Sequence, residues 1–346
     1  MFIVATISKN SYAPEKIREI ILAGASILRF NFAHGTPEQM FEHIQIAKTV
    51  ISELDCKTSV KILADLPGAK LRLGQFAPFE YPIKKGESFI FKSGNDSKHP
   101  TDFVPVKAKN IGKIVQVGQE ISVSDGSPNF LVKEILSDES FIATALTHGL
   151  LTSMKGFNIG QKVDSLDHIT PEFLAHAEKL SKIKPDLIAF SFVNSVDFLE
   201  RAKAVLREKM GVEKLPPIIA KIETEKGLEN IREIAQQADM LMVARGDLAI
   251  TTPFELLGIA QKRIIQAAKA AGKPVIVATQ LLESLLDSRV PTRSEILDLT
   301  NIVLDESDGI MFAKETGLSL TPGFSISIAK KIIEAVEKSK AILKKS

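Results

Sequence analysis

The feature that most constrains this chain is an alternation of short β-branched or aliphatic runs with segments whose apolar residues recur at helical period. The runs are Ile3 to Ile7, Ile27 to Phe32, Val60 to Ala64, Leu187 to Phe192, Ile218 to Ile222, Met240 to Val243, Val275 to Ala278 and Ile310 to Phe312. Ile17, Ile20 and Ile21 share one helical face before Gly24. Further helical patterns cover Pro37 to Leu54, Val196 to Lys209, Glu225 to Gln237, Pro253 to Ala271 and Pro322 to Lys340. Strands that are apolar throughout need cover on both faces, so the alternation predicts a parallel sheet wrapped by helices. Eight such runs predict an α/β fold of the (β/α)8 barrel type.

One stretch breaks the rhythm. From Gly68 to Val163, Gly, Pro and Asn punctuate short segments such as Ser88 to Phe91, Ile121 to Val123 and Phe130 to Val132, which is an all-β pattern. The expected organisation is therefore barrel over residues 1–67, an inserted β-barrel-like domain over 68–163, and barrel again over 164–346. Barrel enzymes carry their sites at the C-terminal ends of the strands. A domain that leaves after the third strand starts at that rim and is placed to act as a lid.

With 45% apolar residues, a chain of 346 can bury a substantial core. Lys and Arg (44) nearly balance Asp and Glu (42), so the net charge of +2 creates no basic field for nucleic acid or a membrane surface. Cys56 is the only cysteine, which excludes an internal disulfide and a CxxC metal knuckle, and reads as a core thiol. The N-terminus lacks a signal-peptide pattern and no run reaches membrane-spanning length. A cytoplasmic location is the expectation. The charged end Lys338 to Ser346 reads as a solvated helix terminus.

The chemistry concentrates in Ile218-Ile-Ala-Lys-Ile-Glu-Thr-Glu225. Alternation along a strand sends Lys221 and Glu223 to the same side, at the functional end. One strand later, Met242-Val-Ala-Arg-Gly-Asp-Leu248 presents Asp247 at the same rim. Two carboxylates suit a hard divalent cation such as Mg²⁺ or Mn²⁺, completed by water and substrate oxygens. The Lys221 ammonium suits negative charge on a phosphoryl group or an enolate. A KxE strand end taken alone fits a structural ion pair equally well. Arg29 and Asn31 share a side at the end of Ile27-Leu-Arg-Phe-Asn-Phe-Ala-His-Gly35, where an Arg fork suits phosphate or a surface salt bridge. Thr279, in Val277-Ala-Thr-Gln280, offers a rim hydroxyl for substrate or proton relay, or a helix cap. No GxxxxGK[ST], HExxH or GxSxG pattern occurs.

In order and spacing, RFNFAHG, ADLPGAKLRLG, MKGFN, AKIE, VARGDLA, ATQLLES and PTRSE resemble the pyruvate kinase family along nearly the whole chain. The resemblance implies a catalytic barrel with a mobile β lid that converts phosphoenolpyruvate and ADP to pyruvate and ATP with Mg²⁺ or Mn²⁺. By matching position, Glu223 and Asp247 would hold the metal, Lys221 would stabilise the phosphoryl group and the enolate, and Arg29 would clamp the phosphate. Thr279 would lie on the face where the enolate is protonated. The backbone at Ala244 and Gly246 would bind the substrate carboxylate. Asn31, His34, Arg72 and Lys155 would face the nucleotide, Lys155 moving with the lid.

Departures from the family pattern carry expectations of their own. Ala33 and Leu66 stand where potassium-dependent members have Ser and Thr, and Lys70 stands where independent members have Lys. Lys70 is thus the expected substitute for a monovalent cation, and activity without K⁺ is expected. Lys9, Pro67, Thr251 and Lys314 also depart, which leaves nucleotide choice open. The chain stops after the eighth barrel unit, so a C-terminal effector domain is not expected, while PTRSE leaves a homodimer through the barrel open. A metal-dependent pyruvate-enolate lyase or aldolase, and a catalytically idle regulatory protein of the same family, are the alternative readings.

Overall fold

A computed structural model describes residues 1–54, 59–124, 126–160 and 168–343. Cys56 and the expected domain boundary at 163/164 lie outside the described residues. The chain divides into two compact units, Met1–Gly68 with His168–Ser346, and Ala69–Asp167.

In the first unit eight parallel strands close into a barrel: Phe2–Ile7, Ile27–Asn31, Lys61–Leu66, Leu187–Phe190, Ile218–Ile222, Met240–Ala244, Val275–Ala278 and Gly309–Phe312. The last pairs with the first, Ile3 opposite Ile310, which closes the ring. Alternation gives each strand two apolar faces. Val4, Ile27, Leu63, Leu187, Ala189, Ile219, Met242, Ile276, Ala278 and Met311 fill the interior. The alternate residues, such as Ile218, Ala220 and Ile222, join the larger core against the surrounding helices.

Local signals set the helix limits. Thr36 caps Pro37–Glu53 and Thr292 caps Arg293–Leu304, each in a reciprocal capping box with Gln39 or Glu295. Gly24, at φ 116°, ends Pro14–Ala23 in a conformation that costs a residue with a Cβ more. The helical stretch read as Glu225 to Gln237 is interrupted. Asn230 donates its side-chain amide to Asn194 O at 2.8 Å and separates Glu225–Glu229 from Ile231–Gln237. Pro253 does not open the following helix: Phe254–Leu256 form a 3-10 turn, and the α-helix is Leu257–Ala270.

The second unit is almost entirely β. Its larger sheet has the strand order Phe157–Asn158, Glu120–Val123, Asn129–Ser137, Ser140–Ala145, Ser88–Ser93, Val104–Val106. Gly149–Thr152 pairs antiparallel with Glu80–Ile83, and Ile111–Ile114 is one helical turn. Phe91 organises the core, stacked on Phe141 at 5.2 Å and edge-on to Phe130 at 5.2 Å. Such pairs add about 0.5–1.5 kcal/mol each beyond the area they bury. Among the described residues no helix is long and apolar enough to cross a membrane.

Candidate active site

The interior alternation continues one step toward the C-terminal ends of the strands, and there it changes from apolar to polar. Val4 is followed on the same side by Thr6, Ile27 by Arg29, Leu63 by Asp65, Ala189 by Ser191 and Ile219 by Lys221. All five polar residues are buried. Five strands thus contribute one polar layer on top of an apolar plug.

Asp65 is the hub of that layer. Its Oδ2 accepts from Arg29 Nε at 2.7 Å and lies 2.7 Å from a terminal guanidinium nitrogen, while Oδ1 faces Lys221 Nζ at 3.2 Å. Lys221 Nζ also donates to Ser191 Oγ at 2.9 Å and lies 3.3 Å from Glu223 Oε1. Arg29 donates to Thr6 Oγ1 at 3.0 Å, and Thr6 donates to Phe312 O at 2.7 Å. Burial pushes the Asp65 carboxyl up, but Lys221 and Arg29 outweigh it and hold the group below the usual carboxylate range. Burial pulls Lys221 down, but Asp65 and Glu223 outweigh it and keep the amine above its ordinary value. Lys221 is therefore a fixed ammonium and not a base.

Glu223 behaves differently. Burial pushes its carboxyl up, Lys221 opposes this, and the negative charge of Asp247 adds to the rise, so the net direction is upward. Its Oε2 accepts from Phe192 N–H at 2.6 Å, with Phe192 at φ 56°. Lys221 pairs with both Asp65 and Glu223, and Asp247 adds a second carboxylate whose charge Glu223 feels. Two carboxylates brought to one rim fit a hard divalent cation. Among the described residues no group of three or more His, Cys, Asp or Glu could hold a metal. A cation here would take its other ligands from water or substrate.

Beside Asp247 in the ring, after the seventh strand, Thr279 and Gln280 are consecutive non-glycine residues at φ 72° and 52°. For a branched Cβ this region costs about 1–2 kcal/mol. The helix Arg245–Thr251 starts directly after the sixth strand, with Asp247 in its first turn. The Gly246 N–H donates to Thr279 Oγ1 at 3.0 Å. Ala244 is buried.

The remaining expected residues divide between the units. In the barrel unit Asn31 is half-buried and accepts from Ala33 N–H at 3.2 Å, while His34 and Lys9 are exposed. Thr251 donates to Glu223 O at 3.2 Å, and Lys314 Nζ faces Glu283 Oε2 at 3.5 Å. In the β unit, segments 71–73 and 155–157 zip together through Leu73 N–H to Lys155 O at 2.8 Å and Phe157 N–H to Leu71 O at 2.9 Å. Arg72 bridges Gly156, over which Lys70 lies, so Lys70, Arg72 and the exposed Lys155 are neighbours.

Sequence reasoning missed Asp65, Ser191, Thr6 and Arg245. For Thr6, Asp65 and Ser191 a signal existed: each is a polar residue in phase with the interior positions of its strand.

The family model described as "Pyruvate kinase, barrel domain" matches residues 1–326. The pyruvate kinase of Thermococcus litoralis is 36% identical over 335 residues, 97% of this chain and 69% of that protein. One from Agrobacterium vitis is 31% identical over 339 residues, covering 98% and 68%. That of Thermoplasma acidophilum is 33% identical over 335 residues, covering 97% and 58%. By that match and those identities, and with its closed eight-stranded barrel, this chain belongs to the pyruvate kinase family.

Proposed function

We propose that this chain transfers the phosphoryl group of phosphoenolpyruvate to ADP, giving pyruvate and ATP. The observation that carries the reading is the Lys221 ammonium, held charged between Asp65 and Glu223 with the Arg29 guanidinium across the same carboxylate. Asp65 and Thr6 hold three of the Arg29 donors, and the two N–H groups they leave are assigned to the phosphate. The P–O bond to the substrate C2 oxygen breaks, an oxygen of the ADP β-phosphate takes the phosphoryl group, and the electron pair stays on C2 oxygen as an enolate. Lys221 stands where both the moving group and that oxygen carry negative charge. Glu223 and Asp247 would hold Mg²⁺ or Mn²⁺, which supplies further neutralisation of phosphate and enolate oxygens. C3 then takes a proton from solvent, with the Thr279 hydroxyl ordering the donor water.

The backbone at Ala244 and Gly246 is assigned to the substrate carboxylate. The nucleotide roles of Asn31, His34, Arg72 and Lys155 rest on motif position, as does Lys70 in place of a monovalent cation.

A coupled assay of pyruvate formation tests the reading, with phosphoenolpyruvate, Mg²⁺ and a panel of nucleoside diphosphates, wild type beside Lys221→Met. Turnover that requires a diphosphate and is lost in the variant is expected. Cleavage of a pyruvate-containing acid without nucleotide, or no turnover with any metal or nucleotide, would sink it.

A further inference from the structure

Every donor of Arg245 is committed within the protein. Nε donates to Thr279 O at 3.1 Å, and NH2 to Thr279 O at 2.6 Å and Gln280 O at 2.8 Å. NH1 donates to the two Asp298 oxygens at 3.1 and 2.8 Å and to Gln261 Oε1 at 3.4 Å. A guanidinium has five N–H groups, so none is left to reach a substrate. Only 8% of the residue is exposed. Arg29, by contrast, places three donors on Asp65 and Thr6, which leaves two of its five N–H groups uncommitted among the described residues.

We infer that Arg245, anchored by Asp298, is a positioning residue that fixes the Thr279 hydroxyl, and through it the protonation half-reaction, without touching substrate. The inference rests on the reaction proposed above. The left-handed turn at Thr279 and Gln280 points two successive carbonyls the same way, an arrangement that aligned dipoles and the branched Thr279 side chain both oppose. Arg245 supplies the cation those carbonyls need. From the other end, Glu315 Oε1 accepts from Leu281 N–H at 3.0 Å and Leu282 N–H at 3.4 Å, so the turn is gripped by its carbonyls and by its amides. Gly246, the residue after Arg245, completes the lock through its N–H to Thr279 Oγ1.

Asp298 lies on Arg293–Leu304, a helix outside the strand barrel, so its charge acts on a rim hydroxyl at one remove. Removing that charge frees Arg245 to leave the carbonyls. A displacement of about 1 Å in a positioning contact costs on the order of 10²-fold in rate.

The test uses Arg245→Met, Asp298→Asn and Asp298→Glu in the full chain, with three readouts. These are steady-state turnover, exchange of pyruvate C3 hydrogens in D₂O by NMR, and amide exchange of residues 275–286 by mass spectrometry. For Arg245→Met and Asp298→Asn, kcat and C3 exchange should fall about 30- to 100-fold. The KM for phosphoenolpyruvate should stay within about threefold, because Arg245 makes no ground-state contact with it. Amide exchange should accelerate at Thr279 to Leu282 and stay unchanged in the helix Pro37–Glu53, while Asp298→Glu restores most of the rate. If Arg245→Met does not fold, Asp298→Asn, which removes only a charge, carries the test. Unchanged C3 exchange in the variants, or a KM that rises while kcat holds, overturns the inference. A wild type without turnover sinks the proposed reaction instead, and unchanged amide exchange at Thr279 to Leu282 then overturns the clamp by itself.

Discussion

Lys221 Nζ lies 3.2 Å from Asp65 Oδ1, and both side chains are almost wholly withdrawn from water, at 8% and 1% exposure. The same carboxylate holds Arg29 at 2.7 Å. One anion therefore compensates two buried cations, and Glu223 offsets part of the second. Removal of one partner from a buried pair leaves an uncompensated charge, at a cost of about 3–5 kcal/mol. Asp65→Ala is expected to lower unfolding free energy in urea by that amount. A loss below about 1 kcal/mol would show that water reaches the cluster.

Lys221→Met has a different signature. Asp65 keeps Arg29 in that variant, so the fold loses less than in Asp65→Ala. The rate loses a preorganised charge, which is worth about 10²- to 10³-fold in kcat. The two variants measured side by side, by urea unfolding and coupled assay, should rank in opposite order for stability and activity.

How far the sequence leads is visible in these residues. The strand read as Ile218 to Ile222 has those bounds in the fold, and alternation alone placed Lys221 and Glu223 together. The apolar run of the third strand ends at Ala64, where Asp65 interrupts it, whereas the strand continues to Leu66. What buries Asp65 is a pair of cations 36 and 156 residues away in the chain, which no local pattern reports. Arg245 was hidden for the same reason, since its partners lie 34 and 53 residues downstream. Periodicity marks which face a residue occupies, and long-range charge pairing decides what it does there.

Gly112 tests the second unit alone. A Cβ there would fall far inside van der Waals contact with the Ser137 carbonyl oxygen and 3.0 Å from Asp138 O, both backbone atoms that cannot swing aside. Gly112→Ala should cost about 1–3 kcal/mol by overpacking. If the β unit unfolds apart from the barrel, calorimetry of the variant will resolve an early transition with the barrel transition unmoved. A single transition shifted as a whole would show that the units unfold together.

Ala33 and Leu66 bring no side-chain oxygen to the rim, and Asp65 is already shared by two cations. Turnover in sodium and potassium buffers of equal ionic strength should agree within about twofold, a difference of less than half a kcal/mol. Strict dependence on K⁺ would remove the proposed role of Lys70, whereas a Lys70→Glu variant that gains K⁺ activation would support it.

Glu295 gives the fold a pH dependence whose sign follows from its partners. Oε1 accepts from Ser284 N–H at 2.8 Å, and Oε2 accepts from Thr292 N–H at 2.8 Å, Thr292 Oγ1 at 2.9 Å and the Ser284 hydroxyl. Burial pushes the carboxyl up, but the Ser284 and Thr292 donors outweigh it and hold it below the usual range. A carboxyl depressed in the folded state binds fewer protons there than in the unfolded chain. Its contribution is complete above the unfolded value of about 4.3 and disappears as pH falls through the folded value. Glu295→Gln should therefore unfold at lower urea than wild type from about pH 5 upward, and the two midpoints should converge as the medium becomes more acid. A gap that stays constant from neutral to strongly acid pH would mean that the cap acts through shape alone and that its charge contributes nothing.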